Sequence, residues 1–365
     1  MKILFITDLY PIKEEEKTTP KTLLNFVKEW QKAGHEVDVI KPNFILNSFL
    51  RGKPFYKSGQ YGNVLNLNFW TPFLGNIKRK LPAFQASCPP DLLIIAHMPS
   101  GILFADKLGL PFVAGIHHSD LEVLTNPLYK FHFKKRMKTA LNNAKAIACR
   151  SYVIKEKLLK LYPEFKNKTF VAPSGIDENI IIPPHPPAAP SPANGEKELR
   201  VLTCANFIKR KNIDKVIKAC KELESFELTV IGDGKFRGRF EKLDKNVKFT
   251  GWLKPDEVYK KMRESDIFIL PSVGETFGMV YLEAMAQGCI TICTKDDGIT
   301  GIIKNSENGF LTEPTIEGIK QILTHIKTLN SNELKSLRTN SFNTISKLTS
   351  TKCAENYLQQ IFKIS

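Results

Sequence analysis

The side chains of this sequence that could do chemistry are carboxylates, cations and imidazoles at the ends of strand-like runs. Glu275 lies in Pro271-Ser-Val-Gly-Glu-Thr-Phe-Gly-Met-Val-Tyr-Leu-Glu-Ala-Met-Ala-Gln-Gly288, flanked by the apolar runs Asp266 to Leu270 and Cys289 to Cys293. Gly278 to Gln287 reads as a helix, with Gly288 where a left-handed cap residue sits. Glu283 falls about two helical turns after Glu275, on roughly the same side. In an open parallel sheet ligands bind at the carboxyl ends of strands, and a helix starting there points unpaired N–H groups at them. Two carboxylates beside such a helix start suit the reading of polyol hydroxyls next to a phosphate. A solvated helix face with two chance glutamates gives the same spacing, and only the surrounding Gly-x2-Phe-Gly and Glu-Ala-Met-x2-Gly distinguish the two.

Two further segments end on candidate groups. Ala205-Asn-Phe-Ile-Lys-Arg-Lys-Asn212 follows a strand and precedes a helix, and taken alone it also reads as a charged turn. Gly115-Ile-His-His-Ser-Asp120 closes a strand at Phe112 to Ile116; adjacent imidazoles at a strand end are more often satisfied polar residues than catalysts. His97, ending Leu92 to Ala96, is a third imidazole in an equivalent place.

The elements that must position these groups form two alternations. Lys2 to Ile6 reads as a strand, Thr19 as an N-cap, Pro20 as the first helical residue, and Leu23, Phe26, Val27 and Trp30 as a buried stripe before Gly34 and the strand Glu36 to Ile40. Strands at Val64 to Leu67, Leu92 to Ala96, Phe112 to Ile116, Ala146 to Cys149 and Thr169 to Ala172 extend a doubly wound sheet. Pro183 to Pro192 holds six prolines in ten positions, which forbids a packed helix and favours an extended linker. Strands at Arg200 to Cys204, Leu228 to Ile231, Val247 to Thr250, Asp266 to Leu270 and Cys289 to Cys293 make the second alternation, and Glu317 to Ile364 reads as helical throughout. The expected domains are residues 1–182, a linker 183–198, and residues 199–349.

Length and composition agree. A chain of 365 residues suits two cores, and 42% apolar with 25% charged residues is ordinary for a globular protein. No apolar run nears the roughly 20 residues of a membrane span, and Ile3 to Ile6 is too short for a secretory signal, so a cytoplasmic protein is expected. Seven cysteines without a Cys-x2-Cys pair read as reduced, mostly buried thiols. The net charge of +16 divides as +11 up to Ile182 and +5 beyond it, which implies an anionic partner: a membrane face, a phosphorylated acceptor or a nucleic acid. Leu128 to Lys138, basic and aromatic, fits either an amphipathic helix on an anionic membrane or a basic helix packing its aromatics on the sheet. No nucleic-acid-binding motif is present.

The Glu-x7-Glu pattern within Gly-Glu-Thr-Phe-Gly-Met-Val-Tyr-Leu-Glu-Ala-Met-Ala-Gln-Gly resembles the signature of the retaining glycosyltransferases of family 4, which have the GT-B fold: an α/β architecture of two Rossmann-like, doubly wound domains facing across a cleft. The resemblance implies that the terminal helix, about 350–365, completes the first domain. It implies a donor-binding set of Asn206, Arg210, Lys211, Glu275, Thr276, Phe277, Gly278, Met279 and Glu283. Within it Lys211 faces the diphosphate, Glu275 the donor sugar and Glu283 the ribose hydroxyls. Asn206 stands where the family has an arginine, which leaves Arg210 or backbone amides to supply the second charge. His117 matches the functional histidine of a His-Gly-Ser-Asp motif, with His118 in place of the glycine. The family's Gly-Gly pair after the first strand is absent, so either the side chains there keep clear of the donor phosphates or Lys17, Thr18 and Thr19 contact them; Thr18, Thr19, His97 and His118 are the acceptor-side candidates. The implied activity is transfer of a hexose from a nucleotide-sugar, a UDP-sugar ahead of a GDP-sugar, to a glycan or glycolipid acceptor. No cofactor and no metal are expected, since no Asp-x-Asp motif ends a strand. The alternatives are a nucleotide-sugar 2-epimerase of the same fold and a non-catalytic sugar- or nucleotide-binding module.

Overall fold

The computed structural model describes residues 1–13, 16, 21–44, 56–69, 91–128, 131–183 and 199–364. Thr18, Thr19, Lys17, Tyr129, Lys130 and nearly all of the proline-rich linker therefore lie outside the described residues. The chain forms two compact units: Met1–Arg150, Ile154–Gly175 and Ser350–Ser365 in the first, Ser151–Val153 and Ile176–Thr349 in the second. The second begins ahead of the Ile182 boundary read from sequence. Ile176 bridges to Thr349, and Ile182 N donates to Ala286 O, so residues 176–182 belong to the later unit.

The first unit is built on strands β1 (Lys2–Ile6), β2 (Glu36–Phe44), β3 (Gly59–Tyr61), β4 (Val64–Phe69), β5 (Leu93–His97), β6 (Phe112–Ile116), β7 (Ala146–Cys149) and β8 (Thr169–Val171), in the spatial order β3-β4-β2-β1-β5-β6-β7-β8. All pairs are parallel except β3 with β4. The inner strands are apolar without alternation because helices cover both faces; every residue of Phe112–Ile116 and Ala146–Cys149 is buried. The helix Thr22–Lys32 buries Leu23, Phe26, Val27 and Trp30, the stripe read from sequence. The indole of Trp30 donates to Ala354 O at 3.0 Å and so fastens the helix Ser350–Ile364 to this unit.

The second unit holds β9 (Leu199–Cys204), β10 (Phe226–Ile231), β11 (Lys248–Gly251), β12 (Ile267–Leu270), β13 (Ile290–Thr294) and β14 (Phe310–Thr312), parallel throughout and ordered β11-β10-β9-β12-β13-β14. The order reverses between β9 and β12, and in such a sheet the crevice outside the carboxyl ends of the reversal strands is where ligands bind. Neither β3 nor β14 was expected; three residues are too few to show a period. The stretch expected to be helical to the end is three helices, Ile316–Thr328, Ser331–Ile345 and Ser350–Ile364. Asn330 makes the first break: its side chain accepts from Asn332 N and Glu333 N while Glu333 Oε2 accepts from Asn330 N, a reciprocal cap that starts a new helix.

Candidate active site

Two loops meet at the β9–β12 reversal. After β9 the chain buries Phe207, makes a 3-10 turn at Lys209–Lys211 and passes through Asn212 at φ +52° into the helix Ile213–Leu223. After β12 it runs from Pro271 to Gly278 and enters the helix Met279–Ala286. Asn212 Nδ2 donates to Pro271 O at 2.7 Å and Val273 N donates to Arg210 O at 2.9 Å, so the loops hold each other in register.

Glu275 is the hub of the pair. Its Oε1 accepts from Lys211 Nζ, from Ser272 Oγ at 2.6 Å and from Arg210 Nη1 at 3.0 Å. Its backbone N donates to Asp297 Oδ1 at 3.1 Å, a contact from the loop after β13. Burial raises the pKa of Glu275, but the charge and hydrogen bond of Lys211, with Ser272 and Arg210, outweigh it and hold the carboxyl below its ordinary value. Two cations converge on one carboxylate oxygen beside a helix start, an arrangement that can receive an anion. Glu283 differs: burial raises its pKa, and it lies close enough to Cys204 and Tyr259 to help raise theirs.

A cleft of about 390 Å³ opens here, lined by Asn206, Arg210, Lys211, Glu275, Gly278 and Met279 from the expected donor set, and by Ile208, Gly232, Trp252, Leu253, Val258 and Val280. Its volume is that of a small-ligand pocket. Thr276, Phe277 and Glu283 are not in its lining, and Phe277 is buried. Sequence reasoning passed over Trp252, whose indole is 66% exposed at the end of β11; a tryptophan in Gly251-Trp-Leu just past a strand was the signal available. Asp297 and Ser272 were also missed as supports of Glu275, because nothing in their spacing shows the contact.

The histidines are in the first unit. His97 is fully buried, with Nδ1 2.9 Å from His117 Nε2 and Nε2 3.0 Å from the hydroxyl of Tyr357. It therefore does not present its ring to an acceptor, as the sequence reading had it, and serves inside the protein. His117 caps the helix His118–Thr125: its backbone N donates to Asp120 Oδ2 at 2.6 Å. His118 is partly exposed, 3.7 Å from Glu122. Burial, with the charge of Arg150, depresses the His117 pKa to about 3 and, with His117 and Arg150, depresses that of His97 well below the ordinary range. Burial pushes Asp120 well above the carboxylate range, and Asp8 adds to it.

These shifts make stability depend on pH. Above pH 6.5 both folded and unfolded chains keep the His117 ring uncharged; below it the unfolded chain binds a proton that the folded ring refuses until about pH 3, so stability falls as pH falls. Asp120 has the opposite sign: its contribution is present at low pH and is lost as pH rises through its folded value. Comparison with a His117→Asn variant isolates one ring. The stability difference, wild type minus variant, is expected to shrink by up to about 1.4 kcal/mol per pH unit between pH 6.5 and about 4, measured by urea denaturation. A difference independent of pH in that window refutes the assignment.

The basic helix Phe131–Asn143 places Met137, Ala140 and Leu141 in the core of the first unit, with Phe133 packed against it, while Lys135 and Arg136 are exposed. Its apolar face is thus used internally, as in the sheet-packing alternative. No helix among the described residues is long and apolar enough to cross a membrane.

The chain thus carries two α/β units, each built on a mainly parallel sheet, and comparison with known proteins gives the family. Residues 20–180 match the model described as Glycosyltransferase Family 4, and residues 188–343 match Glycosyl transferases group 1. An uncharacterised glycosyltransferase of Methanocaldococcus jannaschii is 30% identical over 218 residues, 58% of this chain and 57% of that protein, so the chain spans little more than half its length. TuaC of Bacillus subtilis, named for teichuronic acid biosynthesis, is 25% identical over 89% of this chain and 88% of its own. The Anabaena protein HepE, solved in complex with UDP, superposes with a TM-score of 0.70 at 17% identity over all of both chains. The chain belongs to the family 4 glycosyltransferases and has the GT-B fold.

Proposed function

We propose that the protein is a retaining, metal-independent hexosyltransferase that takes a hexose from a nucleotide-sugar, a UDP-sugar ahead of a GDP-sugar, and passes it to a sugar acceptor on a lipid-linked cell-envelope precursor at the cytoplasmic face of the membrane. The observation that carries this reading is the convergence of Arg210, Lys211 and Glu275 on the cleft at the β9–β12 reversal. Lys211 and Arg210 neutralise the diphosphate as it departs, which is where charge develops and where a fixed cation contributes most. Glu275, released from its cations when phosphate arrives, accepts from a hydroxyl of the donor sugar. Glu283 serves the ribose hydroxyls and His117 a hydroxyl of the transferred sugar. The complex of HepE with UDP supports the nucleotide, and the naming of TuaC supports a cell-envelope glycan. Lys135 and Arg136, exposed on the first unit, support attraction to an anionic surface.

Transfer and donor hydrolysis assayed across UDP-, GDP- and ADP-sugars test this reading. Activity with one of them, lost in Glu275→Ala and unaffected by a chelator, supports it; formation of an epimer without acceptor, or full activity of Glu275→Ala, refutes it. A further expectation concerns Trp252, whose exposed ring on the cleft offers a stacking face to the base. UDP at a hundredfold excess over its Kd should stabilise the protein by about 2.7 kcal/mol. Base–aromatic stacking contributes about 1–3 kcal/mol, so Trp252→Ala should weaken UDP at least about fivefold in titration calorimetry.

A further inference from the structure

The hydrogen-bonded chain His117, His97, Tyr357 has a direction. A neutral imidazole is a donor at one ring nitrogen and an acceptor at the other. Since His97 uses both nitrogens, the three groups must all donate one way or all the other. If Tyr357 accepts from His97, its own buried O–H is left with no acceptor among the described residues, at a cost of about 1–3 kcal/mol. If Tyr357 donates, His97 accepts at Nε2 and donates from Nδ1, and His117 accepts at Nε2. The ring proton of His117 then sits on Nδ1. We propose that His97 and Tyr357 are positioning residues that fix the ring proton of His117 on Nδ1, so that His117 offers a hydrogen-bond donor to an oxygen of its ligand, a sugar hydroxyl or a phosphate. This deepens, and rests on, the reading of His117 given above.

The surroundings are shaped for the arrangement. A Cβ on Gly115 would overlap the ring of His97, so the neighbouring strand leaves the ring its seat. Met98, directly after His97, is held at φ +66°, a strained conformation for a residue with a side chain, where β5 turns straight into a helix. Tyr357 is wedged between Phe26, Trp30 and Phe170, with ring centroids 5.4, 5.6 and 5.6 Å away, which aims its hydroxyl at His97. A residue of the terminal helix is thereby coupled to a group some 240 positions earlier.

Two-bond ¹⁵N–¹H correlation spectra of the full chain labelled with [¹⁵N]histidine read the ring proton directly. Wild-type His117 should show a protonated Nδ1 and an unprotonated Nε2. Tyr357→Phe keeps the ring and removes only the hydroxyl; it should lower the Nδ1-protonated population and reduce kcat about tenfold while leaving the donor KM within about twofold. A wild-type His117 protonated on Nε2, or a Tyr357→Phe spectrum with His117 unchanged, overturns the proposal. Should Tyr357→Phe not fold, the wild-type spectrum alone decides. Full activity of His117→Ala would instead remove the functional reading of His117 and leave the ring-proton assignment to stand or fall on its spectrum.

Discussion

Lys211→Ala is expected to lower donor turnover by about 10²- to 10³-fold, the loss typical when one preorganised group facing developing charge is removed. Lys211 and Glu275 are both nearly enclosed, at 13% and 14% side-chain exposure, so their attraction is little screened by solvent. Arg210, at 46%, is the more screened partner and cannot replace Lys211. Removing the lysine also leaves Glu275 with only Ser272 and Arg210 on its carboxylate, which destabilises the second unit by about 1–3 kcal/mol. The sign with pH follows from the depressed pKa of Glu275. Its contribution is present above the ordinary carboxylate value of 4.5 and is lost as pH falls through the folded value; in the variant that folded value rises and the window narrows. Because the two groups act as a unit, the double variant Lys211→Ala, Glu275→Gln should lose much less than the product of the single losses. Initial rates with donor alone and with acceptor, beside circular dichroism of each variant, measure all of this. A rate within threefold of wild type for Lys211→Ala would contradict the role given to the pair.

The parts of the architecture legible in the sequence are those encoded by a local rule. Ile267–Leu270 and Phe112–Ile116 are unbroken apolar runs because a parallel sheet is covered on both faces, and Gly288 at φ +85° follows its helix as a left-handed cap must. Arg210, Lys211 and Glu275 were readable for the same reason: each lies a few residues past a strand end. What stayed hidden depends on contacts between distant positions. The partners of His97 are His117 and Tyr357, on other elements, and a histidine at a strand end gives no sign of whether it faces solvent or such groups. Asp297 lies 22 positions from Glu275, and nothing in the spacing shows that its carboxylate is turned to the backbone of Glu275 and Gly298. Asn330 was missed by averaging a helical pattern over its cap, although Asn-x2-Glu is a local signal that could have been read.

The same loop gives the second large effect. Gly298→Ala is expected to destabilise the protein by about 2–4 kcal/mol and to lower its Tm by roughly 5–15 °C, with donor turnover falling further than stability alone explains. Two penalties combine. Gly298 has φ +34°, where a Cβ costs about 1–2 kcal/mol. The new Cβ would also lie 2.7 Å from Cβ of Glu275 and 3.0 Å from Phe277 O, and since one of these is backbone, relief must come from moving the loop that carries Glu275. That movement stretches the Glu275 N–H bond to Asp297 and draws the carboxylate from Lys211, so the damage reaches the site. Gly34→Ala separates the two causes: Gly34 has φ +83° with nothing within 4 Å of its Cβ position, so it carries the backbone penalty without the overlap. A loss of about 1–2 kcal/mol with unchanged turnover is expected there. If Gly298→Ala behaved like Gly34→Ala in both melting and turnover, the loop after β13 would not be what holds Glu275 against its cations, and the placement of that carboxylate would have to come from Ser272 and Arg210 alone.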